Sequence, residues 1–160
     1  MFGNTRRIAE AIAAGLGERA DVTLLGVDEA PAIVPDGVDL VVVGGPTHTF
    51  SMSRYQTRAD AAGRGAIGHS EAGIRDWIAN LGQGSSVPDF VTFDTHAKQR
   101  WVPGAASAAA AKALRARGRH VLESESFFVE DVHGPLALGE EDRACDWGRR
   151  LHDARVGAER

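Results

Sequence analysis

Cysteine is almost absent from this chain: Cys145 stands alone among 160 residues. One thiol excludes an internal disulfide, a cysteine-held metal and an iron–sulfur centre, and it suits a reducing compartment. No apolar run approaches the roughly 20 residues needed to cross a bilayer, and the opening residues lack a signal peptide's charged-then-apolar layout. These absences predict a cytoplasmic protein with no membrane partner. Lysine is scarce as well, with only Lys98 and Lys112, and 18 basic residues face 22 acidic ones for a net charge of −4. With no basic block, nucleic acid is not an expected partner. The histidines show no metal-ligand spacing, so no metal is expected; His69, His96, His120, His133 and His152 read as surface or loop residues. No Ser-His-Asp arrangement has supporting context, and no catalytic residue is assigned.

What is present is the composition of an ordinary globular domain, 43% apolar and 25% charged. It reads as one domain over residues 1–155 with a short tail at 156–160. Ile8, Ile12 and Leu16 recur at four-residue spacing and predict a helix over 5–19, with Gly15 and Gly17 weakening its end. Residues 21–27 (DVTLLGV) predict a short strand. The strongest strand signal is 38–45 (VDLVVVGG), apolar without alternation, which implies burial on both faces of a parallel sheet. Residues 46–73 read as a long polar loop or weak helix. A helix over 74–81, a strand over 88–94 and an Ala-rich helix over 104–117 stopped by Gly118 follow. Strand material in 119–130 flanks a polar break at Glu123-Ser124-Glu125, whose carboxylates read as a solvated rim. A last helix starts near Glu140, with Ala144, Trp147 and Leu151 inward and acidic residues at its positive end. Helices alternating with buried strands predict an α/β open sheet covered by helices on both faces.

Three segments carry chemistry. Gly3-Asn4-Thr5 opens the first helix, where unpaired N–H groups and the dipole suit a phosphate. Gly3 lets the backbone approach closely and Thr5 adds a hydroxyl. Gly44-Gly45-Pro46-Thr47-His48-Thr49 follows the strongest strand and reads as a loop shaped by its glycines and proline, with Phe50 and Met52 as apolar neighbours. Phe93-Asp94-Thr95 ends the next strand, and the loop after it reaches Trp101, Pro103 and Gly104. In open α/β sheets, ligands bind beyond the carboxyl ends of the strands, where all three converge.

Together FGNTRRIAEAIA, VVVGGPTHTFSMSR and the FDT loop resemble the flavodoxin family, in particular a bacterial group of small flavodoxin-domain proteins. The resemblance extends over nearly the whole chain, including ESFFVEDVHGPL. It implies FMN as cofactor, with the phosphate on Gly3, Asn4 and Thr5. It implies ribityl and ring contacts at Pro46, Thr47, His48 and Thr49, and ring-edge contacts at Asp94, Thr95 and Gly104. Phe50 and Trp101 are the aromatic candidates for stacking on the flavin. The implied function is electron transfer to a redox partner protein or a small-molecule acceptor. Two alternatives are a quinone or porphyrin-intermediate oxidoreductase of the same fold, and a flavin-free remnant or interaction module.

The family's first strand runs directly into the phosphate loop, whereas this sequence opens within that loop. In the family's strand order, 2-1-3-4-5, the missing strand lies between those of 21–27 and 38–45. Losing four or five buried side chains at roughly 1.5–3 kcal/mol each is on the order of 6–15 kcal/mol. That is comparable with a whole net stability of about 5–15 kcal/mol. The expectation is therefore an N-terminally truncated flavodoxin-like domain without its central strand and unable to hold a normal flavodoxin fold. A start assigned inside the loop is favoured over a real truncation.

Overall fold

The four-residue spacing of Ile8, Ile12 and Leu16 does form one buried stripe, on helix α1 (Asn4–Gly17). In a computed structural model, residues 3–48, 51–52, 73–85, 87–98, 104–131 and 134–158 are described. Beyond α1 they form β1 (Leu40–His48), β2 (Ser51–Met52), α2 (Ile74–Asn80), β3 (Asp89–Ala97), α3 (Ala106–Ala116), β4 (Val121–Val129) and α4 (Glu140–Ala158). The sheet order is β2-β1-β3-β4, with β1, β3 and β4 parallel. β2 adds a two-residue antiparallel pairing at Thr47 and His48.

Two apolar clusters flank the sheet. Ile8, Ile12 and Leu16 of α1 meet Trp147 and Leu151 of α4 over Val91, Phe93 and Phe127. On the opposite face, Ile78 and Leu81 join Ala106, Ala110 and Leu114 of α3 over Val43, Phe90 and Val121. The molecule is thus an α/β open parallel sheet with helices on both faces, consistent with a flavodoxin-like fold. β3 is the central strand of the three, and its residues Phe90 to Thr95 are buried without interruption.

Three elements differ from the sequence expectation. Residues 21–27 form no strand, and Val22, Leu24 and Leu25 remain 41–48% exposed. A strand exists only by pairing, and no described segment pairs with this one. β1 does carry apolar cover on both faces, Leu40 and Val42 on one and Val41 and Val43 on the other. Yet most of it is half-buried, because among the described residues its outer edge from Leu40 to Pro46 meets no strand. Finally, β4 runs unbroken through Glu123-Ser124-Glu125. A register shift opposite Phe90 and Thr92 absorbs an extra residue there. Each polar side chain then finds a partner: Glu123 accepts from Trp147 Nε1 at 3.0 Å, Ser124 bonds Thr92 at 2.7 Å, and Glu125 accepts from Arg143 at 2.8 Å.

The glycines of α1 and α4 are points of contact rather than weak spots. A Cβ on Gly15 would lie 2.0 Å from the Cys145 carbonyl oxygen, and one on Gly148 2.4 Å from that of Ile12. The helices run parallel and are cross-linked by Arg7 to Glu141 at 2.7 Å, Glu18 to Arg149 at 2.6 Å, and Arg19 to Asp153.

Candidate functional site

The carboxyl ends of β1 and β3 and the amino ends of α1 and α3 meet at one edge of the sheet. Gly3 caps α1 at φ 81°, a left-handed conformation that favours glycine. Among the described residues, a Cβ there would meet nothing within 4 Å. Among the described residues no side chain caps this helix, and its first turn carries no acidic residue. α4 instead carries Glu140, Glu141 and Asp142 in its first turn.

Thr5 turns its hydroxyl toward the sheet, and Thr5 Oγ1 lies 2.6 Å from Thr95 Oγ1. Asn4 packs on the loop before α4, where a Cβ on Gly134 would come within 2.7 Å of its amide. The first and third predicted segments are therefore in direct contact through Thr5 and Thr95, with the turn at Gly134 beside them.

The second segment is joined to the third by a buried hydrogen-bond group. Thr47 Oγ1 donates to Asp94 Oδ2 at 2.6 Å and accepts from the Ala106 N–H at 2.8 Å. The Ser107 N–H donates to the same carboxylate oxygen at 3.2 Å. Asp94 is fully buried. Burial pushes its carboxyl pKa up, but hydrogen bonds from His96, Thr47 and Ser126 and from the Ser107 N–H outweigh it. The net effect holds Asp94 below its ordinary value, so the carboxylate remains ionised in the interior. Asp94 thus ties β1 to the start of α3.

Gly44, Gly45 and Pro46 lie within β1 and not in a loop after it. Packing explains both glycines. The Phe93 ring occupies the place of a Gly44 Cβ, at 2.0 Å, and Ile74 that of a Gly45 Cβ, at 2.9 Å. Gly104 is exposed at φ 104°, two residues before α3. The His48 backbone closes β1. The His48 side chain, Thr49, Phe50, Trp101 and Pro103 lie outside the described residues, as does most of the predicted 46–73 loop.

His96, expected from the sequence to be a surface or loop residue, lies on β3. Its Nδ1 is 3.4 Å from Asp94 Oδ1, and its ring packs edge-on against Phe128 with centroids 5.1 Å apart. The signal was available as Asp-x-His at a strand end, since residues two apart on a strand share a face.

Among the described residues, no group of three or more His, Cys, Asp or Glu could hold a metal, and no helix is long and apolar enough to cross a membrane. The chain matches no protein-family model and no curated protein sequence.

Proposed function

We propose that this protein binds flavin mononucleotide at the carboxyl edge of its sheet and serves in electron transfer. The observation that carries the reading is the convergence of an uncapped, acid-free helix start at Gly3-Asn4-Thr5 with Thr95, Thr47 and Asp94 on one edge. A phosphate fits the helix start: α1 offers the N–H groups that a helix start leaves without intrahelical partners, a Gly3 backbone that no described residue covers and the Thr5 hydroxyl, with no carboxylate in the turn to repel it. Bound there, FMN would supply the electron chemistry. The chain's own part is to hold and orient it. Thr5 would donate to the phosphate, and Thr95 would keep that hydroxyl in place. Asp94, anchored by Thr47 and the start of α3, would fix the edge beside the ring. Quinone or porphyrin-intermediate reduction remains the alternative use of the same site, separated by turnover of a quinone with NADPH.

The direct test is titration of FMN into the full chain, followed by flavin fluorescence. The reading expects saturable quenching at one flavin per chain. Thr5→Val should weaken it about 10–150-fold, the worth of one hydrogen bond to a charged group. A fluorescence signal that never saturates with folded protein would refute the flavin assignment.

A further inference from the structure

His96 and Asp94 project from the same face of β3, toward α3, since they are two residues apart on one strand. Two contacts fix the imidazole. Its Nδ1 faces Asp94 Oδ1 at 3.4 Å, and its ring stands at 79° to Phe128, its register partner on β4. Phe128 is held from behind, where its N–H donates to Glu140 at 2.8 Å and the Arg143 guanidinium sits 5.9 Å from its ring. About a quarter of the His96 side chain (24%) remains exposed, at the sheet edge where the predicted ligand segments meet.

The chemistry of the pair decides which nitrogen carries the hydrogen. Asp94 is a buried carboxylate held in its ionised form, and a carboxylate only accepts hydrogen bonds. Nδ1 must therefore be the donor. In the neutral ring Nε2 is then a bare acceptor, one carbon beyond the Nδ1 that faces Asp94. A side chain that offers an acceptor selects a ligand that offers an N–H. The isoalloxazine ring of a flavin is a planar heterocycle of that kind.

We infer that Asp94 and His96 form an oriented acceptor pair for the bound flavin: His96 Nε2 receives a ring N–H, and Asp94 is the positioning residue that places the neutral ring's one hydrogen on Nδ1. The inference rests on the flavin reading and adds a specificity-determining residue to it.

The test combines nitrogen-15 NMR of histidine-labelled full chain with FMN titration. With its ring neutral, His96 of the free chain should carry its hydrogen on Nδ1. Adding FMN should move the Nε2 resonance. His96→Phe should weaken FMN about 5–10-fold, the worth of one neutral hydrogen bond, while its thermal melt shows that it stays folded. His96→Gln, which restores an acceptor oxygen, should recover most of the affinity. Asp94→Asn keeps an oxygen for Thr47 and Ser107 but turns an amide donor on Nδ1. It should move the hydrogen to Nε2 and weaken FMN as His96→Phe does. If FMN binds and His96→Phe leaves both affinity and the Nε2 signal unchanged, the inference fails while the flavin reading stands. Hydrogen on Nε2 in the free chain overturns it as well. If folded wild-type chain binds no FMN, both readings fall together.

Discussion

Asp94 shows how one side chain can serve the fold and the site at once. Asp94→Ala would leave the Thr47 hydroxyl and the Ser107 N–H without their acceptor, at a cost of about 1–3 kcal/mol for each donor left buried. Urea unfolding at neutral pH would measure the loss. Its ionisation also sets a pH dependence. Asp94 and Glu140 both have pKa values lowered in the folded chain, although burial by itself pushes each one up. For Glu140 the opposing bonds come from Arg143 and the Phe128 N–H. A lowered folded pKa means that the stabilisation is present above the unfolded carboxyl range. It is then lost as pH falls through the folded values. The melting temperature should therefore hold through neutral pH and drop below about pH 4. Asp94→Asn should flatten part of that drop, and an unchanged acid profile would argue against a buried carboxylate. The motif Phe93-Asp94-Thr95 was legible as a strand end, but the fate of its carboxylate was not. It depends on Thr47 and Ser107, brought together by the fold rather than by proximity in the chain.

Among elements, the parallel pair α1 and α4 has the least tolerance for added volume. Gly15→Ala would press a methyl group into the backbone of α4, and Gly148→Ala into that of α1. Overpacking of this kind costs about 1–3 kcal/mol, so both variants should melt lower, whereas Gly17→Ala, whose Cβ meets nothing within 4 Å among the described residues, should not. Differential scanning calorimetry would separate them. Gly44→Ala meets the buried Phe93 ring and belongs with the destabilising pair. The helices themselves were plain in the sequence, because α1 repeats its apolar stripe and α4 opens on acidic residues. The role of their glycines was not. A glycine that weakens a helix and one that lets two helices touch are the same letter, and only the partner's backbone distinguishes them.

At the scale of the whole molecule, the alternation of helices and apolar strands made the α/β sheet and its two covered faces readable in advance. The pairing partners were less so, since a stretch such as 21–27 has strand composition yet pairs with nothing described. Exposed apolar side chains such as its Val22, Leu24 and Leu25 favour aggregation. Leu24→Lys and Leu25→Lys should leave stability within about 0.5 kcal/mol of wild type while raising the concentration at which light scattering appears. A large loss of stability would mean that these side chains are packed after all.

The first and last helices also make the fold a problem of timing. Arg7 finds its partner Glu141 134 positions later. At a synthesis rate of about 5–20 residues per second, that separation is roughly 7–27 s of waiting on the ribosome. Throughout it, the stripe of Ile8, Ile12 and Leu16 has no Trp147 or Leu151 to cover it. Newly made chain therefore depends on holding an apolar helix safe until its final segment emerges.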